Sequence, residues 1–508
     1  MNTQTSTHST LEEYKNKDQN RRYAIALETV SPVHIGSLDE KKWHKGMNYV
    51  YVGQEKKVYI LDENRFFPLL AQKYGFALEF SDIERFINDI ANKRVANLGL
   101  KDLSYFISNL NYTHNEPIRP MIVTGLDIPY IPGSSLKGAI RSALFKAWYK
   151  KEAGDEGLKS PKLEERVFGK IGNNLMKFLT VGDTHFNWDE TELYNSKIFN
   201  IYKQGEDWVS GWKHNRQGGN DASFNEKDFT TALHCIKPQT KGVLQIGVNK
   251  NLLHMGLRII EFTPALKNSY LQKEQPLTEL FKILTRHSRE YLQRELAFYR
   301  HFSGADYQQE LIEYVELLLE RADKLENQPD KALIRLGFGS GFHSITGDWQ
   351  YPDHTQTVKS ERAKKYKTRR WLFSNYEGNF QFYLPGFVQL SIIAEPQEAK
   401  AIRERIILPD RARQNQPLDS DTPGVTPPPT ELTPPPYKGK LKEGAKEVPA
   451  KVIAQSGAEV TFELLLEGGN QQAKARYASP LPIGSWHYVI IKSMNKGKVE
   501  RVEYQKKF

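Results

Sequence analysis

The sequence predicts an α+β chain: a mixed body of strands and helices, a proline-rich tether, and a small basic β-barrel. Three observations predict it. Strand-like alternation and helical stripes interleave over roughly the first 400 of 508 residues. Nine of the 26 prolines crowd between Pro409 and Pro436. Five short strand-like runs then close the sequence.

Taken in order, residues 1–21 are polar and read as a disordered tail. Residues 22–30 alternate as a strand does, with Tyr23, Ile25, Leu27 and Thr29 on one side. They end in the turn Ser31-Pro32-Val33-His34-Ile35-Gly36-Ser37. Residues 66–110 predict helix, because Ile83, Phe86, Ile87 and Ile90 recur at helical spacing. Residues 187–231 carry Asn, Gly, Lys and Trp with little period and predict a long surface loop or arm. Residues 242–248, 257–263 and 380–394 read as strands. Residues 275–327 hold two apolar stripes, one through Leu280, Leu284, Tyr291 and Leu296, the other through Leu311, Val315 and Leu318. The Ser303-Gly304 break between them predicts an antiparallel helical pair.

The proline-rich stretch cannot form a helix interior or a central strand. It reads as an extended spacer or as a ligand for a polyproline-binding domain. The final runs, 448–454, 459–466, 473–478, 486–492 and 499–505, are separated by turn residues and predict a small barrel of the OB or cold-shock type. The expected division is a tail over 1–21, a core over 22–270, a helical pair with a second core-like region over 271–405, a linker over 406–437, and a barrel over 438–508.

Lys plus Arg number 71 against 61 for Asp plus Glu, a net +10. That excess suits a polyanionic partner, since each neutralised phosphate releases counterions. The barrel region alone has 13 basic and seven acidic side chains, a net +6. Single strands bind such barrels through basic and aromatic side chains. The candidates are Lys474, Arg476, Tyr477, Trp486, His487 and Tyr488. A packing barrel whose aromatics form its core is the alternative, and both readings stand. One cysteine, Cys235, excludes an intrachain disulfide and a thiolate zinc cluster. No run approaches the ~18 apolar residues of a membrane span, so no membrane partner is expected. The polar first 22 residues lack a leader's apolar segment, and the expected compartment is the cytoplasm.

Two stretches carry chemistry. Residues 128–150, IPYIPGSSLKGAIRSALFKAWYK, place a Pro-Gly turn before Ser134 and Ser135, both good N-caps. Leu136, Ile140 and Leu144 form a buried helical stripe, and Lys137 and Arg141 share a neighbouring face. Gly138 allows a strand or a ligand backbone close approach. A helix N-terminus with two cations is a phosphate-backbone cradle, or else a capped helix with solvated basic residues. The spacing is not that of a nucleoside triphosphate loop. Residues 333–348, LIRLGFGSGFHSITGD, alternate Gly337, Gly339 and Gly341 with Phe338, Ser340 and Phe342. This reads as a loop with aromatics for stacking, and its third glycine falls too early for a dinucleotide fingerprint. Asp127 and Asp183 have no acidic or histidine partner at metal-ligand spacing, so neither metal nor cofactor is expected. The run Gly218-Gly219-Asn220-Asp221 reads as loop.

Together, SPVHIGS (31–37), IPGSSLKGAIRSAL (131–144), EERVFGKIGNNLMKFLTVGDT (164–184), GFGSGFHS (337–344) and LPGFVQL (384–390) resemble the RAMP superfamily of CRISPR-associated proteins. Order and content are most similar to the Csm-type subunit at the guide RNA's 3′ end in type III effector complexes. A Cmr-type end subunit and a type III-D backbone subunit stay open. The resemblance implies a ferredoxin-like (RRM-like) core and a place in an RNA–protein filament. Its partners would be the guide crRNA, a target RNA nearby, backbone RAMP subunits and small subunits. It implies that Gly133, Ser134, Ser135, Lys137, Gly138 and Arg141 contact the guide backbone. His34 and Gly36 would lie near it, and Gly337, Gly339 and Gly341 would line the same groove. Lys367, Arg369 and Arg370, in KTRRW, add a basic cluster that either contacts phosphates or is a solvated surface. The expected role is non-catalytic. The alternatives are an endoribonuclease with His34 as general base, and an adaptor whose barrel recruits a host nuclease or holds the guide's free 3′ end.

Overall fold

The computed structural model describes residues 20–37, 42–74, 80–92, 94, 98–109, 117–152, 163–170, 174–214, 219–249, 270–339, 368–406, 436–439, 441–456, 458–467, 469–477, 481, 485–495 and 498–507. Gly341, Lys367, the strand expected at 257–263 and most of the proline-rich stretch lie outside the described residues. The chain divides into two compact units, residues 1–416 and 417–508.

In the first unit β1 (Asn20–Thr29) buries Ile25 and Leu27 on one face, as its alternation predicts. A small layer follows: β2 (Tyr49–Val52), β3 (Lys57–Leu61), α1 (Glu63–Tyr74), α2 (Phe80–Ala91) and β4 (Ser104–Ser108). Phe66, Leu70, Phe86, Ile87 and Ile90 close the two helices over the three strands. The helix expected across 66–110 therefore ends early. The SYFIS run alternates and pairs with β3 instead.

Next come β5 (Tyr130–Ile131), α3 (Gly133–Glu152), α4 (Leu163–Phe168), β6 (Leu179–Val181) and β7 (Thr184–His185). The region expected as a loop is instead sheet: β8 (Thr191–Gln204), β9 (Asp207–Lys213), β10 (Asn220–Asp221) and β11 (Thr231–Ile236). After β12 (Lys241–Asn249) come α5 (Pro276–His301) and α6 (Gln308–Glu326). The unit closes with β13 (Lys331–Arg335), β14 (Arg369–Tyr376), β15 (Asn379–Tyr383), β16 (Phe387–Ile392) and α7 (Pro396–Glu404).

Two larger sheets result. The first has the order β13-β16-β1-β12-β6, with every ladder antiparallel. The α3 stripe Leu136, Ile140 and Leu144 packs on one face beside Leu277, Leu280 and Leu284 of α5. On the other face Ala399 and Ile402 of α7 meet Ala24, Ala26 and Val243. Strands from both sides of the expected 270/271 division share this sheet, so that division falls inside one unit. The second sheet has the order β10-β9-β8-β14-β15, with β11 also paired to β8. Flanked on both edges and covered by α5 and α6, β8 is buried along most of its length. Even Lys197 is fully buried there, donating to the carbonyls of Asn225 and Asp228 at 2.5 Å each. The helical pair is antiparallel, cross-linked by Arg289–Asp323 at 2.5 Å and Arg300–Glu316 at 2.6 Å.

The second unit is a closed barrel of β17 (Val448–Ser456), β18 (Glu459–Leu464), β19 (Gln471–Arg476), β20 (Trp486–Asn495) and β21 (Lys498–Lys507), in the order β17-β18-β19-β21-β20. All five strands fall where alternation predicts them. Every second residue, such as Val448, Ala450, Val452, Val489 and Ile491, fills the interior. Among the described residues, no helix is long and apolar enough to cross a membrane.

Candidate functional site

The start of α3 is answered by protein. The N–H of Gly133 donates to Asp183 Oδ1 at 2.7 Å. Pro132, not Ser134 or Ser135, is the capping position, because its carbonyl accepts from the Ser135 and Leu136 N–H groups. Gly133 is required by a close approach, since a Cβ there would lie 2.7 Å from the Gly182 carbonyl oxygen. Further along, Arg141 pairs with Glu164 and stacks 4.8 Å from the Phe168 ring centroid. Burial lowers the pKa of Arg141 and of Lys137. Ser134 and Gly138 are exposed, and a Cβ on Gly138 would meet nothing within 4 Å among the described residues. The bare two-cation cradle expected here is thus reduced: a carboxylate sits on the helix end, and Arg141 is engaged.

The second group converges elsewhere. The N–H of Phe338 donates to the His34 carbonyl at 2.8 Å, tying the glycine loop to the first loop. Gly337 has φ +87, and a Cβ there would lie 2.6 Å from that carbonyl oxygen. Two β-bridges, Gly36 to Met121 and Trp43 to Ile118, bring a third segment alongside. Around Phe338 the result is a pocket of about 220 Å³ lined by His34, Gly36, Ser37, Lys42, Arg119 and Pro120. Arg119 lies 5.5 Å and Arg370 5.0 Å from the Phe338 ring centroid. Arg370 donates to Ser196 Oγ at 2.6 Å. Burial, then the Arg119 charge, pulls the Arg370 pKa down to about 10. Gly339 sits against the Arg370 and Pro385 side chains. Among the described residues none of Lys42, Arg119 and Arg370 has a carboxylate partner.

His34 forms the pocket wall rather than projecting from it. It is 2% exposed, its Nδ1 lies 2.7 Å from the His234 carbonyl oxygen, and its edge meets Phe338. Burial lowers its pKa to about 4, and the Arg119 and Arg370 charges pull the same way. Arg369 points the opposite way from its neighbour. It is buried in a two-pronged pair with Glu295, at 3.0 and 3.2 Å, over the Phe298 ring. It is therefore neither a phosphate contact nor a solvated residue. Lys42 and Arg119 were missed in the sequence because only the β-bridges bring them to the loops. A larger groove of about 630 Å³ beside Tyr314 and Leu317 has its cations paired, Arg321 with Glu28 and Lys324 with Glu320.

Fold and site define the class first: an α+β protein that gathers uncompensated cations over a glycine loop. Residues 26–342 match the family model described as the RAMP superfamily, and the chain belongs to that superfamily. A Streptococcus thermophilus protein described as "CRISPR system Cms protein Csm5" is 25% identical over 194 residues, 33% of this chain and 53% of that protein. The chain thus spans about half the length of that relative. Two solved structures are also similar. One is a chain of a cryo-EM Csm-crRNA-target RNA ternary complex in a type III-A CRISPR-Cas system, at 17% identity and TM-score 0.46, covering 73% of this chain and all of the other. The other is a crystal structure of T. onnurineus Csm5, at 18% and 0.46, covering 72% and all of the other.

Proposed function

We propose that this chain is an RNA-binding subunit of a type III CRISPR effector ribonucleoprotein. In this reading it caps the backbone filament at the guide's 3′ end, beside backbone and small subunits and near the target RNA. Superfamily membership and the similarity to a Csm5 support the assembly. A ferredoxin-like core is supported by β1 and β6 flanking β12 in one antiparallel sheet, with α3 between them in the chain.

The observation that carries the reading is the mouth around Phe338. Lys42 and Arg119 line a pocket of about 220 Å³ with no carboxylate in its lining, and Arg370 lies 5.0 Å from the centroid of the Phe338 ring that forms part of its wall. That volume lies below the ~300 Å³ where drug-sized pockets begin and suits one phosphodiester unit. A phosphate there relieves repulsion between Arg119 and Arg370, and the ring offers a stacking edge. Such contacts grip backbone without reading sequence, as base-paired guidance requires. Lys42→Glu with Arg119→Glu, both exposed positions, should weaken binding of a guide-length single-stranded RNA by about 10- to 100-fold. The slope of log affinity against log salt should shrink by about 2. Unchanged affinity and slope would remove the reading.

A non-cutting role is supported by His34, whose buried, weakly basic ring is a poor general base. Purified chain incubated with a precursor guide RNA should give no product. Metal-independent product that vanishes in His34→Asn would establish the nuclease instead.

A further inference from the structure

The barrel carries an aromatic and basic face that the mouth does not account for. Its strand order returns through β20 to β17, and β19 meets β21 in parallel at Lys474 and Arg501. Oligonucleotides bind barrels of the OB type across the second and third strands. Here that face is compensated and carries no aromatic ring. Lys474 pairs with Glu459 at 2.9 Å, and Thr461 and Glu463 face Lys474 and Gln472.

The aromatics lie on a different wall. Along β20 the burial alternates: His487, Val489 and Ile491 fill the interior, while Trp486 and Tyr488 stand half-buried on the outer surface. His487 is held inside with Ser485 Oγ at 2.6 Å from its Nε2. Cross-strand register places Lys451 opposite Trp486, with its ammonium 5.7 Å from the ring centroid. The same register sets Lys506 opposite Tyr488. Residues two apart on a strand stand about 6.8 Å apart. That is twice the ~3.4 Å spacing of stacked bases, so the backbone spacing of the two positions matches one intervening base. Glu463, on β18 beside Lys451, marks the edge of this platform.

We propose that the wall formed by Lys451, Trp486 and Tyr488 binds single-stranded nucleic acid by stacking. The net +6 charge of the barrel region supplies the attraction for the strand's phosphates. The site is independent of the mouth, so the test silences the mouth first. Full-length chain carrying Lys42→Glu and Arg119→Glu is titrated with labelled 15-nucleotide oligouridine and, separately, oligothymidine. Adding Trp486→Leu and Tyr488→Leu keeps apolar bulk but removes the stacking rings. It should lower affinity for at least one oligomer by about 10- to 100-fold, with the melting curve unchanged. Iodouracil-substituted oligomers should crosslink to the peptide holding Trp486 and Tyr488. If the leucine substitutions unfold the barrel, that crosslink in the parent chain decides the question alone. Crosslinks confined to residues 1–416, equal affinity in a folded leucine variant, or capture of a protein but no oligomer by this wall would each overturn it.

Discussion

The start of α3 and the mouth around Phe338 are built from the same materials: a glycine turn, a loop, and two or three cations. In the first, protein carboxylates already answer the positive charge. Asp183 takes the Gly133 N–H, and Glu164 takes Arg141. In the second, Arg119, Arg370 and Lys42 face a ring, a hydroxyl and a neutral histidine. A motif at a helix start is therefore no guide to where charge remains available. What matters is whether the fold has already supplied the counter-charge.

The largest test of that contrast sets the buried Arg369 ion pair against the exposed Arg119. Glu295→Ala removes the carboxylate that pairs with the buried Arg369 guanidinium and should cost about 3–5 kcal/mol in urea unfolding. Arg119→Ala, at the exposed mouth, should change stability by less than about 0.5 kcal/mol. Comparable losses would mean the mouth is a structural network after all. The second test is pH. Folded His34 titrates near 4 against an unfolded 6.5. In that window the unfolded chain binds a proton that the folded chain does not. The contribution is whole above pH 6.5 and falls by about 3 kcal/mol as pH drops to 4. His34→Asn keeps a donor for the His234 carbonyl and should flatten the slope of stability with pH. His234, fully buried and with its pKa pushed well below the usual value by burial, leaves a residue of it. An unaltered slope in His34→Asn would show that His34 is protonated in the fold.

The same logic explains what could be read from the sequence. The barrel strands were legible because each buries one face and shows the other to solvent, so alternation survives. The strand β8 was not: paired on both edges and buried along most of its length, it has no period to detect, and its Asn and Lys residues imitate a loop. The loops at His34 and Gly337 were legible as motifs. Which of Arg369 and Arg370 faces the core was not, because Glu295, 74 residues away in sequence, decides it. Lys42 and Arg119 sit in stretches with no motif, and only tertiary bridges bring them to the mouth.

A smaller effect sharpens the reading of the helix start. Asp183→Ala removes the carboxylate that receives the Gly133 N–H and should cost about 1 kcal/mol of stability. It also uncovers the positive end of the helix dipole. RNA affinity should then hold or tighten by about 2- to 5-fold. A tenfold loss with the fold intact would place Asp183 among the groups that serve the ligand, and the contrast between the two regions would fail at its first term.

The smallest effect bears on Gly138. Its position in an exposed helix interior costs stability relative to alanine, by about 0.5–1 kcal/mol, and nothing among the described residues requires the missing Cβ. A helix that forgoes stability without an internal reason points to something approaching from outside, and Lys137 beside it is half-buried with no carboxylate partner among the described residues. Gly138→Ala should therefore raise stability by that amount in urea unfolding while weakening guide-length RNA binding several-fold. If the variant is more stable and binds equally well, the α3 surface is a bystander and the mouth alone holds the strand.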